Sequence, residues 1–210
     1  MKCWILLVFY IIRNISNIVK YCQIKVSTVI SDFSVISVDI FILQKIGVIF
    51  ISAKLLAIDS STTKSGCAYF CNGKYKEHLL LDCRKDKNMD SRFEAMSQKL
   101  WGVLEIYKPN IVCIEETVVL RNAQTQRFLT RLQGIIYAWC MNHGCEFNTI
   151  RPTSWRKQLS FSQGKNVKRD QLKEQSVHYV LENYNLNVGD DEADAICIGD
   201  AVMKIYEDKK

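Results

Sequence analysis

The sequence predicts an α/β domain: a mixed five-stranded sheet, with three antiparallel strands followed by two reached through helical crossovers, and helices on both faces. Three observations lead there. Short apolar runs bounded by turn residues come in the order βββαβαβα, with further helices among and after them. Asn72-Gly73 stands between two of those runs, a two-residue hairpin signal because both residues tolerate positive φ. Apolar residues at helical spacing fill the longer stretches before each later strand.

Taken in order, Lys54 to Asp59 reads as a short buried strand closed by a carboxylate. After a polar turn, Ser60 to Ser65, the second strand runs from Gly66 to Cys71, and the third returns from Lys74 to Leu81. Phe93, Met96, Leu100, Val103, Leu104 and Tyr107 recur at helix spacing between Asp90 and Tyr107, and Lys108-Pro109-Asn110 breaks the pattern. Ile111 to Glu115 is a fourth, buried strand, again closed by an acid. Ala123 to Asn142 is a long helix stopped by Gly144, and Cys145 to Ile150 a fifth strand. Pro152 suits the first position of a short helix. Lys168 to Tyr184 and Asp190 to Tyr206 are the last two helices.

The chain has 210 residues and a formal net charge of +6, an excess that permits nucleic-acid binding without requiring it. Its nine cysteines include no C-x-x-C pair and no accompanying histidine array, so structural zinc and a disulfide framework are both disfavoured. Cys113 and Cys197 lie inside apolar runs, where a thiol acts as a small hydrophobe. A reduced, cytoplasmic protein follows. Residues 1–53 differ from the rest, with no proline, a single glycine (Gly47) and few charges. The run Cys3 to Ile12 falls short of the ~20 residues that span a bilayer. A membrane anchor, an extra layer, and upstream sequence read from too early a start compete for this leader. The third fits best, since a clean domain begins at Lys54 and extends to residue 210, and a membrane is not expected as a partner.

Asp59 and Glu115 each end an apolar strand, where an unpaired carboxylate is expensive to desolvate. Asp191 and Asp194 stand three apart at the start of a helix and therefore share a face. If that helix packs beside the first and fourth strands, four carboxylates converge at strand ends, where open sheets place their chemistry. Hard oxygen donors suit Mg²⁺ or Mn²⁺ rather than zinc. A pair of such ions about 4 Å apart can activate water and stabilise the leaving oxygen of an in-line phosphoryl displacement, with no histidine or serine needed. Each acid also has a bland alternative. Asp190 and Asp191 can cap a helix, Asp59 can open a turn, and Glu116, on the opposite side of the strand, competes with Glu115.

The residues Leu56 to Ala68 (Leu-Ala-Ile-Asp-Ser-Ser-Thr-Thr-Lys-Ser-Gly-Cys-Ala), Ile114-Glu115-Glu116 and Asp191-Glu192-Ala193-Asp194-Ala195 together resemble the RuvC family of Holliday junction resolvases, within the ribonuclease H-like superfamily, and especially its phage-type relatives. The resemblance spans residues 54 to 206. It implies a ribonuclease H-like fold, with Asp59, Glu115, Asp191 and Asp194 as catalytic metal ligands for two Mg²⁺, Mn²⁺ substituting, and no small-molecule cofactor. It further implies cleavage of branched DNA by water, leaving a 3′-hydroxyl and a 5′-phosphate. Gly66 matches the glycine that begins the second strand, and Arg121-Asn122 resemble the family's basic-Asn step. Two departures stand out. Ser60 replaces a frequent proline, and Val118 stands where bacterial enzymes carry an aromatic that stacks on a junction base.

Arg156, Lys157, Lys165, Lys168, Arg169 and Lys173, against the single acid Asp170, form a basic segment able to hold a DNA backbone beside the acids. Gln124, Gln126, Arg127 and Arg131 offer a second polar-basic surface, and Trp155 reads as packing rather than base stacking. Phe128, Leu132, Ile135, Ile136 and Trp139 exceed what one sheet face needs. With the family's two-fold pairing, that surplus implies a homodimer. Two other readings compete. Asp59 to Gly66 also resembles the first phosphate loop of actin-like ATPases and sugar kinases, which need two such domains and lack the D-x-x-D pair. A non-catalytic junction-binding module is the third.

Overall fold

Asn72 and Gly73 both take positive φ, 55° and 75°, and so fold the strand Lys64–Cys71 (β2) back into Lys74–Asp82 (β3). β2 also pairs antiparallel with Lys54–Asp59 (β1), which completes the meander. The computed structural model describes residues 53–86, 88–117 and 122–208. After the meander come α1 (Met89–Tyr107), β4 (Ile111–Glu115), α2 (Ala123–His143), β5 (Glu146–Ile150), α3 (Pro152–Gln158), α4 (Arg169–Tyr184) and α5 (Asp190–Glu207). The sheet is five-stranded in the order β3-β2-β1-β4-β5, with β1, β4 and β5 parallel. The predicted mixed sheet is the one observed.

β1 lies at the centre, and Leu55 through Ile58 are fully buried. Their alternation divides the core. Leu55, Ala57, Ala68, Phe70 and Cys113 face one side and pack under Trp155 of α3, Val180 of α4 and Ile196 and Ile198 of α5. Leu56, Ile58, Cys67, Val112 and Ile114 face the other, under Met96, Leu100 and Leu104 of α1 and Leu132, Ile136 and Trp139 of α2. Helices therefore cover both faces, as a sheet buried on both sides requires.

Several boundaries move by a residue or two. β2 starts at Lys64 rather than Gly66, because Lys64 and Ser65 already pair with Asp82 and Leu81 of β3. α2 continues to His143 before Gly144, at φ 62°, ends it. Asn122 Oδ1 accepts the backbone N–H groups of Gln124 and Thr125 at 3.0 and 3.2 Å, capping α2. The apolar stripe of α2 is the larger correction. Phe128, Leu132, Ile136 and Trp139 are all buried within this one chain, and Ile135 is half-buried. The α1 side of the sheet consumes that surface, so the stripe is no argument for a partner.

The seven described cysteines are free thiols, with Cys113 and Cys197 buried as their apolar neighbours predicted. Among the described residues no helix is long and apolar enough to cross a membrane. The leader expectation (but for Ala53), Val118 and Arg121 lie outside the described residues.

Candidate metal and DNA-binding site

Register places the first two acids. β1 and β4 pair in parallel up to Ile58 and Ile114, so Asp59 and Glu115 follow side by side at the C-terminal ends of adjacent strands. Asp59 has the parity of Leu55 and Ala57, and Glu115 that of Cys113, so both point to the face covered by α5. Glu116 points elsewhere: its carboxylate pairs with exposed Arg151 at 3.1 Å. Of the two glutamates, Glu115 is the one that lines the cleft with Asp59.

A glycine brings in the other two acids. Gly66 is the direct partner of Asp59 in the β1–β2 ladder. A Cβ built on Gly66 would stand 1.9 Å from the backbone oxygen of Asp191 and 2.5 Å from its carbonyl carbon. Only a bare backbone lets the first turn of α5 rest on the sheet at that level. A second close approach repeats this one further along the helix, where a Cβ on Gly199 would meet the Phe70 ring at 2.1 Å. Asp191 and Asp194 are thereby carried to the ends of β1 and β4. Neither Asp190 nor Asp191 caps the helix. Gly189 is the N-cap, and Glu192 reaches back to accept its N–H at 3.2 Å.

Asp59, Glu115, Asp191 and Asp194 line one cleft of about 240 Å³ with Asp190, Leu172, Arg156, Arg169 and Lys173. Burial, then the charges of Glu115, Asp194 and Asp191, hold the Asp59 carboxyl well above the usual aspartate value, against an opposing pull from Arg156. Burial pushes Asp194 up to about 6, against a hydrogen bond from Ser176 and the charge of Arg156. Asp191 is raised by burial and by Asp190. Asp190 is lowered, because Lys173 bonds it directly. Burial, with neighbouring carboxylates adding to it, thus disfavours ionisation of Asp59, Asp191 and Asp194.

Neighbours hold several of these groups. The indole N–H of Trp155 donates to Glu115 Oε1 at 2.9 Å, and the Arg156 guanidinium lies 4.5 Å over the Trp155 ring and 4.0 Å from the same oxygen. Lys64 Nζ stands 3.9 Å from Asp191 Oδ2. Among the described residues no three carboxylate, imidazole or thiol side chains already close on one point. The acids surround a shared space. Asp194 Oδ1 is buried with no hydrogen-bond partner. An orphaned carboxylate oxygen beside three further carboxylates is what a hard divalent cation satisfies, so the donor set fits Mg²⁺ or Mn²⁺.

Of the predicted basic residues, Arg156, Arg169 and Lys173 line the cleft, while Lys157, Lys165 and Lys168 are exposed outside it. Asn122 is occupied as a cap. Sequence reasoning missed Lys64, Asp190 and the indole donor of Trp155, which is fully buried as expected of packing yet also holds a site acid.

A family profile described as "Crossover junction endodeoxyribonuclease RuvC" matches residues 55–202, from β1 into α5. The crossover junction endodeoxyribonuclease RuvC of Rickettsia akari (strain Hartford) is 26% identical over 125 residues, which is 60% of this chain and 78% of that protein. The structure of T. thermophilus RuvC in complex with Holliday junction substrate superposes with a TM-score of 0.57 at 14% identity, covering 73% of this chain and 95% of that one. A second structure of Thermus thermophilus RuvC gives a TM-score of 0.57 at 14% identity, over 74% and 96% of the respective chains. At that identity the superpositions establish a shared fold.

Proposed function

The chain belongs to the crossover junction endodeoxyribonuclease RuvC family, and from that premise we propose that it is a metal-dependent endonuclease hydrolysing phosphodiester bonds in branched DNA, with the four-way junction as its substrate. One observation carries this reading. Four carboxylates from three separate elements line a single cleft whose rim bears Arg156, Arg169 and Lys173. Acids alone repel DNA, and bases alone only bind it; hydrolysis of a polyanion needs both, adjacent.

Asp59, Glu115, Asp191 and Asp194 are the residues that would hold divalent metal, Mg²⁺ by preference with Mn²⁺ substituting, and four carboxylates are donors enough for two ions. Bound metal supplies a lowered water pKa and charge neutralisation for phosphodiester hydrolysis. Trp155 fixes the Glu115 carboxylate, and Arg156 tempers the charge of the acids it faces. Arg169 and Lys173, both on α4, hold the backbone along the one cleft wall they form. A homodimer in the cytoplasm completes the proposal: paired cuts across a junction need two sites. Trp101 and Ile106 on α1 and Tyr137 and Met141 on α2 are the large apolar side chains left exposed there among the described residues.

The test is incubation of a labelled synthetic four-way junction with protein and Mg²⁺ or Mn²⁺. Paired symmetric nicks, absent from linear duplex, are expected, and Asp59→Asn should abolish them while junction binding persists. Uniform nicking of every DNA would reduce the activity to that of a general nuclease. No cleavage with either metal would sink the catalytic reading.

A further inference from the structure

We propose that Lys64 is a DNA-phosphate contact on the wall of the cleft opposite Arg156, Arg169 and Lys173, with Arg84 beyond it on the same side; this rests on the nuclease reading above.

The cations that line the cleft come from α3 and α4 alone. A strand crossing the acids would then be held on one side only. Lys64 answers from the other side. It is the first residue of β2 and has the parity of Gly66, Ala68 and Phe70, so it emerges on the face that carries Asp59, Glu115 and α5. Its ammonium stands 3.9 Å from Asp191 Oδ2, too far for a hydrogen bond, and its side chain keeps 30% of its exposure. Contrast Lys173, which bonds Asp190 directly. Lys64 is thus close to the acids without being committed to one.

The same wall continues outward. Lys64 pairs across the ladder with Asp82, the last residue of β3. Arg84, two residues on, donates to Asp82 through Nε and Nη2, and Lys99 Nζ donates to the Asp82 backbone oxygen at 2.7 Å. Arg84 remains largely exposed, at 62%. The Asp82 carboxylate thus pairs with Arg84, while Lys99 takes only its backbone oxygen. A metal held by Asp191 would neutralise the acid beside Lys64 and leave the ammonium to face the incoming backbone. A lysine serves here as a point charge toward phosphate rather than as a reader of bases.

The experiment uses the Asp59→Asn protein, expected to bind without cutting, in Mg²⁺ with a four-way junction. Single linkages near the cut are neutralised one at a time as methylphosphonates. One linkage should cost about eightfold in affinity at 0.1 M salt, the release of about one counterion. Adding Lys64→Gln should erase the penalty at that linkage alone and lower the slope of log affinity against log salt by about 0.9. Lys64→Arg should restore both, which separates lost charge from damaged structure. An unchanged neutralisation profile and salt slope in the Gln variant, with only the Mg²⁺ requirement altered, would make Lys64 a mere counter-ion of Asp191 and overturn the proposal. Failure of the Asp59→Asn protein to bind any junction would overturn it together with the nuclease reading.

Discussion

Adding one methyl group at Gly66 should disable the site without touching an acid. The Cβ of Gly66→Ala would fall 1.9 Å from the Asp191 backbone oxygen, 2.5 Å from its carbonyl carbon and 3.1 Å from the Glu192 nitrogen. All three are backbone atoms, so no side chain can swing aside. β2 cannot recede, being hydrogen-bonded to β1 on one side and β3 on the other. The first turn of α5 must therefore lift by at least about 1 Å, a misplacement that costs on the order of 10²-fold in rate when it moves catalytic groups. Overpacking of this kind costs about 1–3 kcal/mol, or roughly 3–10 °C in Tm for a chain of this size. The assay is single-turnover cleavage of a four-way junction at saturating enzyme and Mg²⁺, with Tm measured by calorimetry. Gly134→Ala is the control: it sits in α2 with nothing within 4 Å of the added Cβ. It should raise Tm slightly, since alanine favours a helix by up to ~1 kcal/mol over glycine. A Gly66→Ala protein that cleaves within about threefold of the parent would refute the claim that α5 is set by this contact.

Three further outcomes follow from the site. Trp155→Phe keeps the buried ring but removes the donor to Glu115, so cleavage should fall about 10–100-fold with a raised Mg²⁺ requirement; an unchanged metal titration would count against a positioning role. Glu115→Gln should lose at least about 100-fold in rate. Glu116→Gln should stay near the parent, since its exposed pair with Arg151 is worth about 0–1 kcal/mol; the reverse pattern would transfer the assignment to Glu116. Asp194 is raised from 3.8 to about 6 in the fold. A raised carboxylate carries no penalty below its unfolded value and loses stability as pH climbs through the folded one. Metal-free protein should therefore weaken between pH 4 and 7 by an amount on the order of 2–3 kcal/mol from this group. Asp194→Asn should flatten that slope in thermal melts, and Mg²⁺ should raise Tm more at pH 7.5 than at 4.5. Equal pH slopes in parent and variant would contradict the burial cause.

How much of this was legible in the sequence depended on the range over which each signal acts. Asn72-Gly73, Gly144 and the apolar runs act locally, and they placed the strands and helices within a residue or two. The strand-end acids were legible because an acid directly after Leu-Ala-Ile or Val-Cys-Ile violates burial unless something compensates. Lys64 was not, since beginning the second strand at Gly66 left it in a turn and hid its shared parity with that glycine. Trp155 was read as core, which it is, but composition does not reveal where an indole N–H is aimed. Asp190 resembled a cap because its partner, Lys173, is seventeen residues away on another helix. The α2 stripe misled for the opposite reason. Counting apolar residues gives the amount of surface to be buried but not whether a sheet or a second subunit buries it.

The anchoring of α5 explains how four carboxylates stay together in one cleft. Carboxylates free to move would relieve their repulsion by parting, and the helix that carries two of them would be the element to shift. It is fastened along its length. Gly66 and Gly199 seat it on β2. Tyr179 and Tyr184 of α4 donate to the two oxygens of Asp200 at 2.8 and 2.5 Å. On β3, His78, itself bonded to Tyr75 at 2.6 Å, lies 3.4 Å from Glu192, between the two aspartates. The sheet does the same for Asp59 and Glu115 through ladder bonds that no side-chain rotation can undo. Since the backbone cannot yield, burial and the neighbouring carboxylates raise the proton affinity of Asp59 and Asp194, and one Asp194 oxygen is left without a hydrogen-bond partner. Both are relieved by a cation. On the proposed function, the free energy that packing commits to holding the acids close would return as affinity for divalent metal, and loosening α5 at any of these points should weaken metal binding before it unfolds the chain.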